Sequence, residues 1–215
     1  MRFADRHEAG ARLGRAVAAY DPQHPLVAAL PRGGVPVGYE VAQALGCELD
    51  VVVVRKIGVP FHPELAMGAV AEGGVVIRNQ EIIDTVGIDE STFRARAETE
   101  KVELDTRLDR YRTAAPAIDP AGRTVVIVDD GLATGSTALA AIQALRARQA
   151  LRVWLAVPVA PSDVVPIMQR ATDRLIVLEQ PRRFMAVGAW YNDFSPTSDT
   201  EVVDLLQRSR RTRDQ

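Results

Sequence analysis

Residues 124–178 repeat one pattern. The apolar run TVVIV leads through a turn into the helix-forming TALAAIQALRAR, then LRVWLAV, the helical segment SDVVPIMQRA and finally RLIVL. Strands alternating with helices through short connections require right-handed crossovers, and so a parallel sheet. The same order begins earlier. LVAAL (26–30) ends in PRGG, VPVGYEVAQALG reads as a helix closed by Gly46, and LDVVVV has the continuous β-branched character of a strand buried on both faces, as central parallel strands are. The expected class is α/β, a central mostly parallel sheet flanked by helices.

The other segments elaborate that sheet. Residues 5–20 carry Ala9, Leu13, Val17 and Tyr20 at helical spacing, with Asp5 and Glu8 as a capping pair. RKIGVPFHPEL (55–65) reads as a loop, and MGAVA-EGG-VVIR as a hairpin beside the sheet. Residues 92–112 predict a long surface helix whose docked stripe is Phe93, Ala97, Leu104, Leu108 and Tyr111. Glu100 interrupts that stripe, which favours packing on its own domain over a coiled coil. Ser198 and Glu201 form a capping box for a last helix. No Pro/Ser-rich linker divides the 215 residues, so a single domain over 1–215 is expected. With 26 basic and 28 acidic side chains there is no global field to draw nucleic acid or an anionic membrane, and binding must be local. The single cysteine, Cys47, excludes an intramolecular disulfide and any multi-thiolate metal site. The amphipathic start MRFADRHEAGARL is unlike a signal peptide and no apolar run reaches transmembrane length, so a cytoplasmic location is expected.

Ligands of open α/β sheets bind outside the carboxyl ends of strands, and three loops fall there: after LVAAL, after DVVVV and after VVIV. The third, in VVIVDDGLATGST (125–137), sets Asp129 and Asp130 just ahead of a Thr-Gly-Ser-Thr turn at a helix start. Free backbone N–H groups and the helix dipole make such a turn an anion site; Thr134, Ser136 and Thr137 add hydroxyls, and Gly135 lets a phosphate approach the backbone. Two carboxylates repel phosphate but accept hydrogen bonds from vicinal hydroxyls, so a sugar phosphate satisfies both halves of the loop. No Lys follows the glycine as in a P-loop, and no G-x-G-x-x-G follows a strand.

Four apolar residues, two acids and a loop ending in Thr-Gly-x-Thr resemble the phosphoribosyl pyrophosphate (PRPP) signature of type I phosphoribosyltransferases. Two further loops support the likeness: Leu30-Pro31-Arg32-Gly33-Gly34 resembles the family's pyrophosphate loop, and Arg55-Lys56 opens a segment resembling the flexible loop that closes over PRPP. The chain as a whole is similar to a bacterial phosphoribosyltransferase-like branch. The resemblance implies a type I fold with a hood and a long inserted helix, and a Mg²⁺-dependent transfer in which a nitrogen acceptor, a nucleobase or related heterocycle, displaces pyrophosphate from PRPP. It places Asp129 and Asp130 on the ribose hydroxyls, directly or through Mg²⁺. Thr134, Gly135, Ser136 and Thr137 fall on the 5-phosphate, with Ala133 beside them in the PRPP-binding loop. Arg32, Gly33 and Gly34, with Arg55 and Lys56, fall on the pyrophosphate. Ala133 stands where 6-oxopurine enzymes of the superfamily carry an Asp that acts on the base, and the loop wording is closer to adenine enzymes, which use a loop glutamate; Glu64 is the acid at the corresponding place. Phe184, Trp190 and Tyr191 are candidates for stacking on the acceptor, with core packing as the alternative. A homodimer is compatible with the family. Two other functions remain open: a PRPP-binding regulator without transfer, and a hydrolase or phosphorylase of a ribose 5-phosphate compound.

Overall fold

The computed structural model describes residues 2–211, the side chains of Pro63 and Glu64 excepted. Its principal sheet contains β1 (Pro25–Ala29), β2 (Glu48–Val51), β6 (Thr124–Val128), β7 (Arg152–Val159) and β8 (Arg174–Glu179), all parallel, in the order β2-β1-β6-β7-β8. Alternate residues of each strand serve opposite faces. Val27 and Ala29 of β1 and Val126 and Val128 of β6 pack into one apolar cluster with α1 (Arg6–Ala18), α2 (Gly34–Leu45) and α7 (Asp199–Arg211). Leu26, Ala28, Val125 and Ile127 pack into another with α5 (Ser136–Ala147) and α6 (Val165–Ala171). This is why the strands are continuously apolar in sequence.

The second sheet is antiparallel and three-stranded: β3 (Val54–Val59), β4 (His62–Ala71) and β5 (Val75–Arg78). It corrects the expectation of a loop at residues 55–65, because Arg55 and Lys56 lie within β3, paired opposite Val70 and Ala69. Gly58 and Pro60 read locally as breakers, yet residues 66–71 of β4 supply ladder partners that the sequence window does not show. A second correction concerns LDVVVV. Its strand β2 lies at the edge of the principal sheet, and its burial comes from helices laid over it, chiefly α7 and α2. A helix without a sequence expectation, α3 (Gln80–Val86), is capped by Asn79 and ends at Gly87 in the left-handed region.

The long helix α4 (Glu90–Ala114) buries the stripe read from its spacing, Phe93, Ala97, Leu104, Leu108 and Tyr111. Glu100 breaks that stripe because it meets Arg55 of β3, whose Nε donates at 2.9 Å. α1 and α2 cross closely: a Cβ on Gly10 would come within 2.7 Å of Val37 O, and one on Gly14 within 2.7 Å of the Ala44 Cβ. The start of α1 is thereby fixed against the start of α2. Both anticipated caps form, the Asp5 carboxylate accepting from Glu8 N at 2.8 Å and Ser198 Oγ from Glu201 N at 3.1 Å.

Candidate active site

From β1 the chain crosses to β2 on one side, and from β6 to β7 on the other, so the order reverses between these adjacent strands. A crevice opens at such a switch point. Ala29 pairs with Val128, so the loops at residues 30–33 and 129–135 leave the sheet at the same level. They are in close contact. A Cβ on Gly33 would lie 2.0 Å from Asp130 Oδ2, and one on Gly34 would lie 2.7 Å from Val128 O and 2.9 Å from Asp129 Cα. The glycines of PRGG are therefore needed where the first loop crosses the acids of the second. The Pro31–Arg32 peptide is cis.

Asp129 turns its carboxylate onto the following backbone, Asp130 N donating to Oδ1 at 2.8 Å. Burial, followed by the neighbouring Asp130 charge, pushes the Asp129 carboxyl well above the ordinary range. Asp130 is also raised by burial, but Arg6 opposes the shift. Arg6 lies outside every motif in the sequence. From the first residue of α1 its Nε and Nη2 each reach Asp130 Oδ2 at 2.9 Å, and Nη1 donates to Ser195 O at 2.8 Å. The contact spans 124 residues, and an arginine in the first turn of an amphipathic helix carries no local sign of it.

Gly135, at φ +75, is the N-cap of α5. Thr134 Oγ1 and Ser136 Oγ are hydrogen-bonded at 3.1 Å, Ser136 N donates to Thr134 Oγ1 at 3.4 Å, and Ala133, Thr134 and Thr137 are exposed at the helix start. Gly135→Ala is expected to cost about 1–2 kcal/mol from the left-handed φ alone, read as a few degrees lower Tm in thermal unfolding. A Cβ there also approaches Met168 Cε at 2.7 Å, an atom at the flexible end of its side chain.

Beside this turn a cavity of about 580 Å³ separates the antiparallel sheet from α5; Lys56, Arg78, Thr134, Ser136 and Gln143 are among its lining residues. Lys56 of β3 and Thr134 and Ser136 of the turn thus line one cavity, and Arg55 meets Glu100. Arg32 is exposed, and its charge reaches the Tyr111–Asp199 pair. There the Tyr111 hydroxyl, donating at 2.7 Å, holds the Asp199 carboxyl below its ordinary range against burial, and Arg110 and Arg32 add to the effect.

Of the three aromatic residues considered for stacking, Tyr191 must be reassigned. Its ring is buried against Phe3 and Phe194, at centroid distances of 5.4 and 5.1 Å, and its hydroxyl donates to Asp130 O at 2.5 Å. It holds the acid loop and presents no free face. Trp190 lines a separate pocket with Arg2, Arg183, Met185 and Ala189, which includes no residue of the three loops. Phe184 is half-buried. Val187, in the 3-10 turn Val187–Trp190, covers Gly131, where a Cβ would come within 2.6 Å of its Cγ1. The Glu64 side chain lies outside the described residues.

Fold and site define a doubly wound α/β protein with its crevice at the switch point, where two acids lie ahead of the start of α5. The chain belongs to the phosphoribosyl transferase family, whose domain model matches residues 7–166. It is 45% identical over 209 residues to a provisionally named phosphoribosyl transferase of Mycobacterium tuberculosis strain H37Rv, covering 97% of this chain and 47% of that protein. The chain spans about half the length of the curated relatives it matches. The crystal structure of TT1426 from Thermus thermophilus is similar throughout, with a TM-score of 0.91, 42% identity and coverage of 97% of this chain and 99% of that one. The AQ2163 protein of Aquifex aeolicus, at 12% identity and a TM-score of 0.51 over 94% of this chain and 84% of that one, shares the fold. Among the described residues, no helix is long and apolar enough to cross a membrane.

Proposed function

We propose that this chain is a Mg²⁺-dependent phosphoribosyltransferase that displaces pyrophosphate from PRPP with a nitrogen acceptor, a nucleobase or related heterocycle. The observation that carries the reading is the juxtaposition, at one switch point, of the Asp129–Asp130 pair with the helix-start turn on one side and Arg32-Gly33-Gly34 on the other. A ribose with a 5-phosphate and a 1-diphosphate presents phosphate, diol and leaving group to match. Asp129 and Asp130 accept from the ribose hydroxyls, holding C1 in place and favouring the positive charge that grows on the ring as the C1–O bond breaks. Thr134, Ser136, Thr137 and the amides at the start of α5 bind the 5-phosphate. Arg32 and the backbone at Gly33 and Gly34 meet the leaving diphosphate, with Lys56 approaching from β3.

Among the described residues no three or more His, Cys, Asp or Glu form a metal cluster, so those residues alone offer no closed site. Two hard carboxylates beside a diphosphate fit Mg²⁺ carried largely by PRPP oxygens, with Asp129 and Asp130 completing its surroundings. When bound there it neutralises charge on the leaving diphosphate. Ala133 has no side-chain proton to exchange with a base, so that position supplies no acid or base to the acceptor.

Calorimetry with PRPP and Mg²⁺, paired with pyrophosphate release against a panel of nucleobases, tests the reading. Release that depends on one acceptor is expected. Tight PRPP binding with no release for any acceptor would replace the transferase by a PRPP-binding regulator, and release of pyrophosphate or ribose 5-phosphate by water alone would favour a hydrolase.

A further inference from the structure

Four segments distant in sequence meet at one guanidinium. Arg6 starts α1, Asp130 follows β6, Gly33 belongs to the loop after β1, and Phe194 and Ser195 belong to the segment before α7. The Arg6 side chain is only 11% exposed, with Cζ 3.9 Å from the centroid of the Phe194 ring. Two of its nitrogens converge on Asp130 Oδ2 while a third holds Ser195 O. Tyr191 fixes the backbone of the same aspartate through its carbonyl oxygen. The place of Arg6 is in turn set by the close α1–α2 crossing at Gly10 and Gly14, and a Cβ on Gly33 would press on both Asp130 Oδ2 and Arg6 Nε, at 2.0 and 3.2 Å.

We infer that Arg6 is a positioning residue for the ribose diol: it clamps one oxygen of Asp130, so that the other is presented to a sugar hydroxyl in a fixed plane. The inference rests on the PRPP-site reading above. A two-nitrogen grip on a single carboxylate oxygen restrains the rotation of the carboxyl group, and stacking on Phe194 restrains that of the guanidinium. The clamp also sets a positive charge against the acid pair, lowering the repulsion that a multiply anionic sugar phosphate meets on entry. Because the same guanidinium holds Ser195, the segment before α7 is tied to the state of the diol site.

The test compares ribose 5-phosphate with 2-deoxyribose 5-phosphate, which share the phosphate and differ by one hydroxyl. Affinities are measured by calorimetry on the full chain, wild type, Arg6→Gln and Arg6→Lys, with thermal unfolding of each protein in parallel. The wild type is expected to prefer ribose 5-phosphate by roughly tenfold, the scale of one hydrogen bond to a charged group. Arg6→Gln is expected to reduce that preference to about twofold or less while leaving 2-deoxyribose 5-phosphate within about threefold of its wild-type affinity, and Arg6→Lys is expected to restore part of the preference. A merely structural arginine would weaken both ligands together, and that result overturns the inference, as does a variant that keeps the wild-type preference. Should Arg6→Gln not fold, an Arg6→Lys protein with the full preference overturns it equally. A wild type that shows no preference between the two sugars overturns the diol assignment itself, together with the role of Arg6.

Discussion

Exchanging Asp129 and Asp130 together for asparagine is expected to weaken PRPP binding by roughly 10²- to 10⁴-fold, the loss of two hydrogen bonds to charged acceptors at ~1.5–3 kcal/mol each. Calorimetry with Mg²⁺ present measures it, and unchanged binding would reject the placement of the ribose diol. The single exchange Asp129→Asn separates function from stability. Burial and the Asp130 charge raise the Asp129 carboxyl in the folded protein. An acid raised on folding is favourable to the fold when protonated, below its unfolded pKa, and that stability is lost as pH rises from the unfolded value through the folded one. At neutral pH the wild type therefore bears a cost, in burying the charge or in keeping the proton, that asparagine lacks. Asp129→Asn is expected to show the higher Tm at pH 7, with the gap closing as pH is lowered into the carboxylate range. On the proposed reading, the acid pair trades stability for ligand binding. A gap independent of pH would mean that the Asp129 carboxyl titrates alike in the folded and unfolded chain, against the effect of its burial.

Arg112→Ala is expected to have the largest effect on folding, about 3–5 kcal/mol, the scale for breaking a buried ion pair by removing one partner. From the last turns of α4, Arg112 donates to Asp50 of β2 and Glu72 just beyond β4, each at 2.5 Å, and to the Val51 carbonyl at 3.2 Å. The side chains of Arg112, Asp50 and Glu72 are 16%, 5% and 16% exposed, so water cannot replace the lost partner. Asp50 Oδ2 also accepts from Ile118 N at 2.9 Å, on the connection to β6. The network joins both sheets and the long helix. At ~2–4 °C per kcal/mol for a chain of this size, thermal unfolding should fall by roughly 6–20 °C. A fall of under ~2 °C would show that the three groups are solvated in the native state. Glu72→Gln should cost less, because Asp50 still balances the guanidinium.

Much of the principal sheet and the acid-bearing turn is legible in residues 124–178, because parallel strands covered by helices must be continuously apolar and their crossovers short. The stripe on α4 is legible for the same kind of reason: helical spacing is a local property. Residues 55–65 read as a loop because most of the pairs that make strands of them, Arg55–Val70, Lys56–Ala69, Ile57–Gly68 and Gly58–Ala66, reach beyond the local window. β2 reads as central because apolar character reports burial and not position; helices over an edge strand bury it as fully as neighbouring strands would.

The sequence by itself determined that two acids precede a glycine-capped helix start rich in hydroxyls, since spacing along one turn fixes which groups share it. Only the tertiary structure decided what meets those acids. Arg6 lies 124 residues from Asp130, Tyr191 lies 61 residues from it, and the glycines of PRGG reach it across the gap between β1 and β6. Such contacts follow from strand order and from the close crossing of α1 on α2, which depend on how whole faces pack and leave no periodic trace in the chain.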